Sequence, residues 1–289
     1  LMGIGEAAAI PSLQVIAANF VPARSRSRYW GVLTSFLSLG TIGAYSVSPT
    51  LIREYGWPSA FQIYGIAGIL LAAVWLAVGA SEPGDVSDCV PSECDVRPGS
   101  NEPVVQLLLD GGTDAADAVP WREMARTRPV WALAAAHSAS NFFLYFSLSW
   151  LPTFFSYQYG LSTEAASAAS QAPFIAAAVT GVTSGVVCDS ILVDRLGMSL
   201  TEARKLMQGI ACAGPALVVL ALAQLDAASL TGGSTLPQAE LLFVAGLSCQ
   251  ACSAAGFGCA AQDISRRYAS LLYGATSAVS VLVGAAGQY

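Results

Sequence analysis

Apolar positions gather into eight runs along the chain, near residues 1–20, 29–52, 57–80, 129–156, 164–188, 203–225, 238–260 and 268–289. Crossing the hydrocarbon core of a bilayer as a helix takes about 20 mostly apolar residues. Each run therefore reads as a membrane-spanning helix. The breaks between them are charged or rich in Gly and Pro: Pro22-Ala-Arg-Ser-Arg-Ser-Arg28, Arg53-Glu-Tyr-Gly-Trp-Pro58 and Thr231-Gly-Gly-Ser234.

Basic residues test the count, because they accumulate in the connections on one side of a membrane. Arg24, Arg26 and Arg28 fall in the first connection, and Arg97, Arg122, Arg126 and Arg128 in the third. Arg195, Arg204 and Lys205 fall in the fifth, and Arg266 and Arg267 in the seventh. The even connections hold only Arg53, so twelve of the thirteen basic residues lie on one side. A single miscounted helix would destroy that alternation. The first span runs toward the positive side, which makes it an even-numbered helix if the complete protein starts on that side.

Composition agrees: apolar side chains make up 54% of 289 residues and charged ones 11%, where soluble domains carry roughly 25% charge. A water-facing surface cannot be built from so few charges. The formal charge of −6 is concentrated, since residues 81–128 hold ten acids and four arginines while the remainder balances nine against nine. That acidic, Pro/Gly/Asp-rich stretch reads as a mostly disordered loop on the cytoplasmic side. It divides the chain into three helices (1–80) and five (129–289). A short interfacial helix near Trp121-Arg-Glu-Met124 would hold Trp121 at headgroup level. With no basic patch there is no footprint for nucleic acid.

Polar groups inside the spans are few. Glu6 sits in an apolar run, where an ionisable group faces a cavity or a partner by default; the alternative is a place near the membrane boundary. His137, the lone histidine, shares one helical stripe with Ser140, Asn141 and Tyr145 at intervals of three and four. The stripe fits a proton-exchanging or anion-binding surface and equally a set of interhelical hydrogen bonds. Gly181 and Gly185 form a small-xxx-small pattern suited to close packing. Cys249 and Cys252 are two residues short of a structural zinc site. Nothing points to a metal, a nucleotide or an enzymatic nucleophile–base pair. Arg28-Tyr29 and Arg267-Tyr268 each open a span after a basic cluster, which suggests a parallel internal repeat.

Taken together, Gly3-Ile-Gly-Glu6 with Pro11, Arg24 to Arg28, and Ser48-Pro-Thr-Leu-Ile-Arg-Glu-Tyr-Gly-Trp-Pro-Ser-Ala-Phe61 resemble the anion:cation symporter family. That family lies within the major facilitator superfamily and includes vesicular glutamate carriers, sialin and plant phosphate carriers. Val119-Pro-Trp-Arg122, Pro129-Val-Trp-Ala132, Ser149-Trp-Leu-Pro-Thr153, Arg204-Lys205 and Gln262-Asp-Ile264 extend the likeness, which is nearest to the plant, largely plastid, branch. The resemblance implies an all-α polytopic facilitator fold, with this chain at helices four to eleven of twelve. It implies a monomeric secondary carrier moving inorganic phosphate, or an organic anion such as ascorbate, glutamate or sialate, by alternating access. Coupling would be to H⁺ or Na⁺, with no cofactor, in a plastid membrane or otherwise a plasma or endomembrane. A fragment lacking four helices is expected not to transport.

Roles follow the same likeness. Glu6 aligns with the family's coupling glutamate, and the substrate or coupling set becomes Glu6, His137, Ser140, Asn141 and Tyr145. Asp189 with Arg195, and Asp263 with Arg266 and Arg267, match loop positions that act as gates, although ordinary anchoring and capping would explain Arg195 as well. Ser140 stands where glutamate carriers have arginine, which disfavours a glutamate-type site. A non-transporting receptor or scaffold that docks partners through the acidic loop is the reading from another class.

Overall fold

A computed structural model describes residues 8–78, 119, 121–229, 235–265 and 267–286. All regular structure among them is helical: α1 (Ala9–Phe20), α2 (Arg26–Tyr55), α3 (Trp57–Val78), α4 (Trp121–Arg126), α5 (Arg128–Tyr159), α6 (Thr163–Ala169), α7 (Gln171–Val186), α8 (Leu200–Ser229), α9 (Leu236–Ala251), α10 (Phe257–Ile264) and α11 (Ala269–Ala286). Glu6, Arg97, Arg266 and the acidic segment 81–118 lie outside the described residues.

Among the described residues, six helical stretches are long and apolar enough to cross a membrane: Ala23–Tyr55, Trp57–Ala77, Thr163–Arg195, Leu200–Leu225, Leu236–Ile264 and Ala269–Ala286. Two expected spans stand apart. Only the second half of the first is described, as the twelve residues of α1. The fourth is a continuous 32-residue helix, α5, whose polar stripe makes it less apolar than the rest.

Helix ends follow local chemistry. Gly56 (φ 81°) separates α2 from α3, and Gly160 (φ 66°) ends α5 in the left-handed conformation that a side chain disfavours. Ser199 and Glu202 cap α8 reciprocally, the Ser199 N–H donating to Glu202 Oε2 (3.0 Å) and the Glu202 N–H to Ser199 Oγ (3.3 Å).

Two spans depart from the expected single α-helix. After α7 the chain continues as a nine-residue π-helix, Val187–Arg195, which carries Asp189 in its first turn. The span expected as unbroken over 238–260 is interrupted: α9 passes into a 3₁₀ turn, Cys252–Ala254, before α10 starts at Phe257. Gly256 occupies the break because a Cβ there would lie 3.0 Å from the Gln208 Cβ and 2.6 Å from its Oε1.

The closest packing joins α2 to α7. A Cβ on Gly181 would meet Ser35 Oγ at 2.6 Å and the Gly31 carbonyl at 3.0 Å, and one on Gly185 would meet the Ser27 carbonyl at 2.5 Å. Two helices from opposite sides of the central loop thus touch backbone to backbone. Ser35 Oγ reinforces the seam by donating to the Ala178 carbonyl at 2.5 Å. Farther along, Phe143, Leu151, Phe155, Phe174, Phe243 and Leu247 bury a core shared by α5, α7 and α9.

Candidate functional site

The connections that carry the basic residues converge at one end of the molecule. Arg26 opens α2 and is 3% exposed; its Nη1 donates to Asp263 Oδ1 at 3.1 Å. Arg204, in the first turn of α8 and 6% exposed, forms an ion pair with Asp263 Oδ2 and donates from Nη2 to the Ala23 carbonyl at 2.9 Å. One carboxylate at the end of α10 therefore holds two buried guanidiniums, one from each side of the central loop. Beside it, Asp189 (1% exposed) accepts the Arg28 backbone N–H at 3.0 Å and faces the Arg28 guanidinium at 3.9 Å. The Arg28 guanidinium also donates to Ser190 Oγ.

Sequence neighbours proposed other partners. Asp189 pairs with Arg28 rather than Arg195, which is exposed at the end of the π-helix. Asp263 pairs with Arg26 and Arg204, while Arg267 lies over the Tyr268 ring, 5.4 Å from its centroid. The far end carries the opposite arrangement: Arg53 is 3.5 Å from Glu54 and from Glu164, joining the second and fourth connections. First, fifth and seventh connections meeting at one end, and second and fourth at the other, is the geometry that the charge alternation requires.

The polar stripe on α5 faces α11. His137 Nδ1 shares a hydrogen bond with Thr276 Oγ1 (3.2 Å), and Asn141 Nδ2 donates to Ser280 Oγ (2.8 Å). One turn further on, the Tyr145 ring occupies the space that a side chain at 284 would need, which glycine leaves free. The pairs 137–276, 141–280 and 145–284 advance together by four, so α5 and α11 run parallel, joined by two polar rungs and then a ring-on-glycine contact. His137 is 1% exposed, stacks on Phe257 (4.6 Å) and meets the Tyr273 ring at a tilt (4.8 Å).

Ser140 takes a different partner. Its Oγ accepts from Gln208 Nε2 at 3.2 Å, while Gln208 Oε1 accepts the Phe257 N–H at 3.0 Å. Gln208 thus supplies an acceptor to a backbone donor that the broken span leaves unpaired, and ties the break to α5. An amide pair spans the central division: Gln262 Nε2 donates to Gln14 Oε1 (2.8 Å), and Gln14 Nε2 to the Gly258 carbonyl (3.3 Å). Trp30 of α2 stacks on Tyr273 at 6.4 Å and packs beside Gly258.

Sequence reasoning passed over Gln14, Arg26, Arg204, Gln208 and Gln262 as site residues. A signal existed for two of them: Arg204, Gln208 and Cys212 recur every four residues and mark one inward face of α8. Cys249 packs against Gly214 where α8 and α9 touch, a structural use of that thiol. Among the described residues no group of His, Cys, Asp and Glu could hold a metal ion.

Comparison with known proteins places this arrangement. The chain is 30% identical over 288 residues to a sodium-dependent phosphate transport protein, chloroplastic, of Arabidopsis thaliana, covering 99% of this chain and 52% of that protein. It is also 30% identical to a chloroplastic ascorbate transporter of Arabidopsis thaliana (99% and 49%) and to a probable chloroplastic anion transporter of Oryza sativa subsp. japonica (99% and 45%). The chain spans about half the length of the curated relatives it matches. The Major Facilitator Superfamily model matches residues 1–288, nearly the whole chain, and the chain belongs to that superfamily.

Proposed function

We propose that this chain forms the central part of a secondary transporter of the anion:cation symporter type, with inorganic phosphate as its first-choice substrate and an organic anion such as ascorbate as the alternative. The observation that carries the proposal is the Asp263 clamp. It joins helices that precede the central loop to helices that follow it, at the positive end, and both its cations are buried. A clamp of this kind closes one face while it is intact and opens that face when it parts, as alternating access requires. The close α2–α7 seam beside it gives the closed arrangement a second, steric hold. The similarity to a chloroplastic sodium-dependent phosphate transport protein and a chloroplastic ascorbate transporter supports small anions, cation coupling and a plastid membrane.

Glu6 remains the proposed coupling carboxylate. Of the α5 stripe, Ser140 is the member whose partner, Gln208, also touches the helix break. His137, Asn141 and Tyr145 are engaged by α11, which favours an assembly role for them over direct substrate contact.

Uptake by the complete protein in proteoliposomes tests the reading, with radiolabelled phosphate, ascorbate and glutamate supplied separately under imposed Na⁺ and H⁺ gradients. Saturable, gradient-driven phosphate uptake is expected. Ascorbate uptake alone would replace the substrate. No gradient-driven uptake of any of the three, with a partner captured through residues 81–118, would favour the scaffold reading instead.

A further inference from the structure

We propose that the α4–α5 elbow is a binding site for an anionic phospholipid headgroup. The elbow is a rigid bracket. Met124, 3% exposed, anchors it against Leu133, Tyr268 and Leu272. Thr127 Oγ1 donates to the Glu123 carbonyl at 2.8 Å, and Trp131 Nε1 to the Ala125 carbonyl at 2.7 Å, which pins α4 to the first turns of α5. Arg122, Arg126 and Arg128 are left exposed on the outer side of the bracket. None of the three makes an ion pair or hydrogen bond among the described residues. Trp121 and Trp131 flank them at 53% and 65% exposure.

Three guanidiniums without partners between two exposed indoles have a defined complement. Guanidinium groups bind phosphate through paired hydrogen bonds, and indoles settle where hydrocarbon meets headgroups. The bracket stands at the start of α5, at the positive end of the molecule, so lipid phosphates are the anions at its level. The basic side of a membrane protein attracts anionic lipid in general; the ordered bracket makes this a site with a fixed address. A rival occupant belongs to the chain itself, because residues 81–118 contain nine acids. The two tryptophans favour lipid, since an acidic loop in water gives an indole nothing to enter.

Native mass spectrometry of the complete protein, released from nanodiscs of phosphatidylcholine with 30% phosphatidylglycerol, reads the site. The parent should retain phosphatidylglycerol in preference to phosphatidylcholine. A near-surface arginine is worth roughly fivefold, so the combined Arg122→Gln, Arg126→Gln, Arg128→Gln variant should lose at least tenfold of that preference. All three side chains are exposed, and unchanged thermal unfolding of the variant will show that its fold is intact. Equal retention by parent and variant would overturn the site. So would phosphatidylglycerol binding that emerges only after deletion of residues 81–118, because the arginines would then belong to the loop.

Discussion

Replacing Asp263 by Asn should unlock the positive end of the molecule. The substitution keeps the shape of the side chain and removes the negative charge of Asp263 from between Arg26 and Arg204. Those two side chains are 4% and 7% exposed, so neither recovers much hydration when its partner goes. Removing one member of a buried pair costs about 3–5 kcal/mol, mostly from the charge left behind. Asp263 itself is 29% exposed, and solvent screening there brings the expected cost down to about 2 kcal/mol. At about 1.4 kcal/mol per decade, that is roughly a thirtyfold shift in the equilibrium. A closed population of about 99% would fall to roughly three-quarters. Spin labels at Phe20 and Leu196, both exposed near the charged end, would report the change as a second, longer distance in the complete protein. Asp263→Glu should restore the short distance in part. If Asp263→Asn keeps the parent distribution, the clamp does not hold the face shut and the proposed role of these charges fails.

Gly181→Val should force α2 and α7 apart, since the added carbons meet Ser35 and the Gly31 carbonyl; overpacking of this kind costs about 1–3 kcal/mol and is read by thermal unfolding in detergent. Asn141→Ala should lower stability by about 0.6 kcal/mol through loss of the Ser280 bond and leave the KM for the anion unchanged; a raised KM with unchanged stability would return Asn141 to the substrate site. Gln208→Leu should strand the Phe257 N–H at a cost of about 1–3 kcal/mol, seen as faster amide exchange around residues 252–258. Glu6→Gln should keep anion binding and flatten the pH dependence of uptake, because the amide imitates the protonated acid; an unchanged profile would leave Glu6 a structural group.

The spans and their alternation were legible because both rest on periodic or one-sided composition. The bilayer demands long apolar helices, and arginines mark one face, so position along the chain carries the information. Partner identity was not legible. Arg28 and Asp189 are 161 residues apart in the chain, and Arg26 and Asp263 are 237 apart. A reading along the sequence naturally reaches for Arg195 and Arg267, which are near in number, whereas the structure brings Arg28 to Asp189 and Arg26 and Arg204 to Asp263. The helix break was hidden for another reason. Cys252 to Gly258 contains only small residues and one phenylalanine, with no charge or proline to punctuate it. What permits the break is a glutamine on α8, and no local pattern announces an acceptor that arrives from another helix.

The α5 stripe shows how one pattern can serve two purposes. Positions 137, 141 and 145 share a face, and α11 offers Thr276, Ser280 and Gly284 at the same spacing, so three of the four candidates are drawn into one helix pair. Ser140, a residue before Asn141, points about 100° away around the helix and meets Gln208 instead. Gln208 in turn holds the first N–H of α10, the short helix whose other end carries Asp263. A displacement of α5 at Ser140 thus has a continuous path, through one side-chain amide and the helix from Phe257 to Asp263, to the carboxylate proposed to clamp the charged end. Interhelical hydrogen bonds of this kind are individually worth about 0.6 kcal/mol in membrane proteins, too little to lock either state. A link that weak would let the interior bias the proposed clamp without fixing it, as a shift between two populated arrangements needs.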